Sequence, residues 1–292
     1  MHYNNQRKSL LPAMTPTSLG ITPTMLLQQP AESPYDLRFQ LFGFPIRVAW
    51  TFWIGAVVFG YGLADMVDQL FQDSSPGRFP LLLLWAVCLL VSIIIHELGH
   101  ALAFRTLGIE SSIVLYHFGG LAIPRSGPAT GGGFEFAPVT RLSPSQDLFI
   151  AASGPLLQIA SAMVLAVGLK AAGYGVAAFG IIPGFNRIEW LQEGQPLATV
   201  GMFSIALFYI LPSVLWALFN LLPVYPLDGG RVARAIIQLA GGQIEQSLWL
   251  SLVVAVLMAV WGLQSGEIFI TLLFASLAMG NYQMLQQYGG RF

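Results

Sequence analysis

Long apolar stretches alternate with short polar ones along most of this chain, and their lengths fix an architecture before any motif is considered. Runs at residues 49–64, 79–107, 148–169 and 199–222 approach or exceed the ~20 apolar residues that a helix needs to cross a bilayer. Two weaker runs follow at 248–263 and 268–284. Trp50 and Trp53 open the first run, as aromatic side chains do at a membrane interface, and Asp65, Asp68 and Asp73 mark its exit. The second run carries no charge from 79 to 95 and would make a helix about 43 Å long. Pro212 lies inside the fourth run.

The polar stretches carry a different period. Residues 37–48 alternate apolar and polar side chains around Gly43-Phe44-Pro45, which predicts two short strands at the membrane edge. Strand-like segments at 113–116 and 121–123 flank His117-Phe118-Gly119-Gly120, and a glycine-rich linker follows at 126–133. Residues 171–197 read as a loop and 232–239 as a short helix. Residues 1–34, rich in Pro, Thr and Gln, contain no uninterrupted apolar segment and so no signal peptide. The fold class is therefore an all-α polytopic membrane protein, with about six transmembrane helices and short membrane-edge β-strands. It divides into a disordered tail (1–34), membrane-edge strands (35–48), a membrane core of four spans and the helix after them (49–240) and two C-terminal spans (241–292).

Composition agrees. Of 292 residues 55% are hydrophobic and only 9% charged, with a mean hydropathy of +0.68, which excludes an ordinary soluble domain. A net charge of −1 offers no electrostatic footprint for nucleic acid. The single cysteine, Cys88, excludes an internal disulfide and reads as core. With six spans, one side of the membrane receives Arg7, Lys8, Arg38, Arg47, Arg105, Arg125, Arg141, Arg231, Arg234 and Arg291, the other only Arg78, Lys170 and Arg187. Ten basic residues against three places both termini in the cytoplasm.

Chemistry enters at the end of the second run, where His96, Glu97 and His100 form H-E-x-x-H. On a helix, i and i+4 lie one above the other, so both imidazoles can grip one Zn²⁺ while Glu97 takes a proton from water. His96 lies about 26 Å along this helix, near the far side of a core about 30 Å thick, and Arg105 emerges about 14 Å further on. The site is thus inside the membrane, near the cytoplasmic face. A catalytic zinc needs a third protein ligand. Glu110 is the nearest acid downstream and reads as part of a solvated loop. Asp228 is the better candidate, because the fourth run ends at the same face and Pro223 and Pro226 break the helix there. Taken alone, Asp228 reads first as the N-cap of a helix starting at Gly229, and beside the histidine pair on the same face the ligand reading prevails. Asn220 is either an oxyanion or substrate hydrogen-bond donor or interhelical glue. His2 and His117 are expected to have no metal role.

These residues resemble the site-2 protease family of intramembrane zinc metalloproteases. The resemblance lies in His96-Glu97-x-x-His100, in Asn220-x-x-Pro223-x-x-Pro226-Leu227-Asp228-Gly229, and in Ser153-Gly154-Pro155-Leu156. His117-Phe-Gly-Gly-Leu121 and the segment at 41–48 match its compact six-span members, so that about residues 37–240 are covered. The resemblance implies one zinc ion held by His96, His100 and Asp228, Glu97 as general base and Asn220 as a substrate-orienting residue. It also implies hydrolysis of a peptide bond within or beside a transmembrane helix of a substrate protein. An upstream, site-1-type protease often cuts first, and the family places the chain in a cell (inner) membrane. Gln158 stands where the family commonly has Asn, and no PDZ insert or CBS pair is expected. The alternatives are a catalytically silent zinc-binding scaffold, against which the presence of Glu97 argues, and a different membrane zinc protease with a Glu as third ligand.

Overall fold

The computed structural model describes residues 31–117, 119–125, 142–182 and 184–289. The glycine-rich linker, His2 and nearly all of the expected tail lie outside the described residues. Strands β1 (Leu37–Leu41) and β2 (Phe44–Val48) precede helices α1 (Thr51–Phe71) and α2 (Arg78–Thr106). Strands β3 (Glu110–Tyr116) and β4 (Gly119–Arg125) follow, then α3 (Pro144–Ala171) and two one-turn helices, α4 (Ala178–Ile181) and α5 (Glu189–Gln192). The chain continues through α6 (Val200–Asn220), α7 (Asp228–Leu239), α8 (Ile244–Gln264) and α9 (Ile268–Gly289). Among the described residues six helices are long and apolar enough to cross a membrane: α1, α2, α3, α6, α8 and α9. Their outward faces carry exposed Val58, Val164, Leu257 and Leu272, as lipid contact requires. The chain is an integral membrane protein.

Several boundaries differ from the sequence reading, each for a local reason. Helix α1 runs past Ala64 to Phe71, because Arg78 at the start of α2 reaches back to Asp65 (2.8 Å) and Asp68 (3.6 Å) and so accommodates the two acids within the helix. Helix α3 starts at Pro144, where Ser143 and Gln146 form a reciprocal capping box. Gly154 and Pro155 therefore sit inside that helix rather than opening it. Glu110 is not in a loop: it is the exposed first residue of β3, opposite Arg125. The expected loop at 171–197 contains α4 and α5.

The four strands make one sheet in the order β1-β2-β3-β4. β1 and β2 form a hairpin turned by Phe42 (φ 51°) and Gly43 (φ 83°), while β2 pairs with β3 in parallel across the α1–α2 excursion. Phe44, Ile46, Val48, Ile113 and Leu115 bury one face of this sheet in the main core with α1, α2, α3 and α6. Arg105, in the last turn of α2, lies 3.7 Å over the Phe44 ring and donates to the Phe42 carbonyl at 2.8 Å. Asp36 ties the sheet to α1 by accepting from Arg47 (2.9 Å) and from the Trp50 backbone N–H (3.2 Å). Burial would raise its carboxyl, but a hydrogen bond from the Ser33 backbone N–H (3.0 Å), those from Arg47 and Trp50, and the Arg47 charge outweigh that and hold it below the usual carboxylate range. A second, smaller core joins α8 to α9. Cys88 is buried in the first core.

Candidate metal centre

Two glycines let α2 and α3 approach closely enough to enclose the histidines. A Cβ on Gly99 would strike the Ser153 carbonyl of α3, and a Cβ on Gly154 would strike the His100 imidazole. The i, i+4 spacing then puts His96 and His100 on one face with their ring centroids 4.9 Å apart, both almost wholly buried.

Each imidazole is oriented from behind. His100 Nδ1 lies 2.7 Å from the Ile150 carbonyl, which can only accept, so the proton sits on Nδ1 and the Nε2 lone pair faces inward. His96 Nδ1 lies 2.8 Å from Gln158 Oε1, and the Gln158 amide N–H donates to Ser92 Oγ at 2.8 Å. Ser92 in turn pairs with Ser213 of α6 at 2.8 Å. With the Gln158 amide oxygen toward His96, the imidazole proton sits on Nδ1 and the His96 Nε2 lone pair faces inward as well. Gln158 thus makes a polar contact to His96.

Asp228 completes the cluster. Its Oδ2 lies 3.1 Å from His96 Nε2 and 3.2 Å from His100 Nε2, and the two Nε2 atoms are 3.2 Å apart. Three acceptor atoms therefore converge with both imidazole protons turned outward, an arrangement that calls for a cation. A tetrahedral zinc with bonds of about 2.0–2.1 Å spaces its ligands about 3.3 Å apart, so the observed triangle fits that ion in donor type and in size. Asp228 is the first residue of α7, and its carboxylate is turned to the histidines rather than capping the helix. Helix α7 is docked on α3 by Asp147, which accepts from Arg231 and Arg234, each at 2.7 Å.

Glu97 points to the sheet side of the same helix turn. It is 3% exposed and accepts a hydrogen bond from the Ala122 backbone of β4, and a Cβ on Gly120 would come within 2.6 Å of its Oε1. Asn220 and His117 are not among the three converging ligand atoms. Asn220 ends α6 and donates its amide to the Trp216 carbonyl one turn back, at 3.0 Å. His117 lies in the β3–β4 turn, where Gly55 of α1 packs on its backbone. Among the described residues the only grouping of three or more potential ligands is His96, His100 and Asp228.

Ser92, Ser213 and Asp147 escaped the sequence reading as supports of the site, whereas Gln158 was singled out there through the resemblance. Only Gln158 had a linear signal, standing four residues after the glycine that faces His100.

The chain is similar to several known proteins. A putative zinc metalloprotease of Synechocystis is 33% identical over 208 residues, covering 70% of this chain and 44% of that protein. The putative zinc metalloprotease Rip3 of Mycobacterium tuberculosis is 32% identical over 201 residues, covering 66% and 41%. The chain thus spans less than half the length of these two relatives. The solved site-2 protease from Methanocaldococcus jannaschii aligns over 86% of this chain and 95% of its own at 25% identity, with a TM-score of 0.46. The family model of peptidase family M50 matches residues 84–260, from the second span through α7 and into α8. With that match over more than half its length, the chain belongs to peptidase family M50.

Proposed function

We propose that this protein is an intramembrane zinc metallopeptidase that hydrolyses a peptide bond within, or next to, a transmembrane helix of a membrane-protein substrate. The observation that carries this reading is the inward-facing triangle of His96, His100 and Asp228 with Glu97 on the adjoining position of the same buried helix turn. His96, His100 and Asp228 would hold one zinc ion. Bound there, the metal supplies a Lewis acid that polarises the scissile carbonyl and makes water acidic enough to ionise near neutrality.

The chain's own residues do the rest. Glu97 accepts the proton from the attacking water and passes it to the departing amine. Gln158 and the Ile150 carbonyl hold the imidazoles in the tautomer that keeps Nε2 unprotonated. The Ala122 N–H holds the Glu97 carboxylate from the sheet side. Asn220 orients the substrate backbone with the part of its amide not used by Trp216. A substrate helix must unwind locally, because a helical carbonyl is already hydrogen-bonded. The ten-to-three distribution of basic residues supports an inner-membrane orientation with both termini cytoplasmic. That puts the site near the cytoplasmic face, where water enters and where a product of an earlier cut by another protease would be received.

The test is zinc content and model-substrate cleavage in the same detergent-purified samples. Glu97→Gln should retain zinc and lose about 10²–10⁴ of the rate, and Asp228→Ala should lose both. Full cleavage by Glu97→Gln would remove the assigned base. Metal retained by Asp228→Ala would remove the third ligand.

A further inference from the structure

We propose that Asn281 and Ser251, contributed by the last two spans, are positioning residues for the third ligand: they hold the backbone of Tyr225, and through it Asp228, beside the histidine pair. The inference rests on the ligand role given to Asp228 above.

Between α6 and α7 the chain passes through Leu221-Leu222-Pro223-Val224-Tyr225-Pro226-Leu227. The two prolines bring no N–H, and the loop satisfies two of its remaining donors internally, Val224 to the Leu222 carbonyl (2.7 Å) and Leu227 to the Val224 carbonyl (2.9 Å). Tyr225 is served from outside. Its N–H donates to Ser251 Oγ of α8 at 3.1 Å, and its carbonyl accepts from Asn281 Nδ2 of α9 at 2.7 Å. Irregular backbone at membrane depth persists only where neighbouring helices re-satisfy it. Both providers are 1% exposed, and a second bond from Asn281 Nδ2 to the Leu277 carbonyl at 2.8 Å fixes its amide. A buried Asn in an otherwise apolar span is costly, and this contact gives it a task. The apolar half of the same hold is Val224, fully buried among Ala255, Phe274 and Leu277.

Two glycines carry this hold to the ligand. A Cβ on Gly230 would strike the Tyr225 backbone nitrogen, and a Cβ on Gly229 would strike the carbonyls of Leu221 and Leu222. With no side chain between them, the first turn of α7 sits directly on the loop, and Asp228 opens that turn. The Tyr225 ring lies 5.7 Å from the guanidinium of Arg234, which Asp147 also holds, so the loop is fixed from α3 as well. The last span lies beyond the residues matched by the family model, yet it reaches within three residues of Asp228.

The experiment is hydrogen exchange on the full chain in detergent, without zinc and with it, comparing wild type, Asn281→Leu and Ser251→Ala. Amides of residues 224–231 should exchange about tenfold faster in both variants and both states, while peptides from α2 stay unchanged. By chelator competition each variant should lose zinc affinity about tenfold, and adding Asn281→Leu to Asp228→Ala should cost little more than Asp228→Ala alone. Wild-type exchange at 224–231 in both variants overturns the proposal whether or not any substrate is cut. Losses that multiply with that of Asp228→Ala also overturn it, since they would come from general loosening. Should Asn281→Leu not fold, Ser251→Ala decides by the same measurements. A wild-type chain that binds no zinc overturns the ligand role of Asp228, and the exchange pattern still reads the hold on Tyr225 by itself.

Discussion

His96 and His100 reach the centre from one uninterrupted helix, one turn apart, whereas Asp228 reaches it from the far side of a proline-broken loop. The first arm is held by regular geometry: helix spacing, a glycine-to-glycine crossing with α3, and two hydrogen bonds to the outward imidazole nitrogens. The second is assembled from α3, α8 and α9, each donating or accepting at one point of the loop or of α7. The first arm has few independent parts, each with no room to move. The second has many parts, each able to fail partly. Substitutions should therefore act in steps on the first arm and in increments on the second.

The largest effect is expected where the regular arm is tightest. Gly154→Ala places a methyl group against the His100 imidazole and should lower zinc affinity more than about a hundredfold, roughly 3 kcal/mol, with cleavage lost in parallel. Chelator competition and the cleavage assay measure it, and near-normal binding would show that α2 and α3 can separate. On the irregular arm, Asp147→Ala leaves Arg231 and Arg234 without their shared carboxylate. Both arginines are about one-quarter exposed, so the loss is about 2 kcal/mol, or roughly thirtyfold in zinc affinity, with α2 unaffected. Isothermal zinc titration against wild type checks it, and no change would remove Asp147 from the support of Asp228. Gln158→Leu is the mildest: it keeps the volume, frees the His96 tautomer and should cost about tenfold in zinc affinity, the low end for such supports. A cobalt-substituted sample would show the accompanying change in its visible spectrum, and an unchanged spectrum would mean that Ser92 and Gln158 do not orient His96.

The same contrast explains what could be read from the chain without its structure. The spans were legible because a bilayer forces length and apolarity onto each of them, and the first two strands because their period is two, while the other two showed only as short apolar runs around a glycine pair. His96, Glu97 and His100 were legible because one helix turn encodes their juxtaposition. Asp228 was legible less directly, from the membrane face it had to reach and the prolines beside it. The partners of Tyr225 were not legible at all. Ser251 and Asn281 are ordinary polar residues in two of the weaker apolar runs, and only tertiary packing brings them to a backbone 26 and 56 residues away. Asp147 was hidden likewise, since nothing in the sequence links it to arginines 84 and 87 residues later.

The parallel pairing of β2 with β3 has a consequence for biogenesis. These strands flank the first two spans, and their registered contacts, Ile46 to Ile113 through Val48 to Leu115, require both strands on the same side of the bilayer. A chain in which α1 and α2 both cross the bilayer meets that condition, and one in which a single one of them crosses does not. A nascent chain in which one of the two spans fails to insert leaves β2 and β3 on opposite sides of the membrane, so that the β1–β2 hairpin cannot join the β3–β4 hairpin. The four-stranded sheet is therefore complete only in a molecule whose first two spans have been inserted together, and the β2–β3 seam reports on the topology of both.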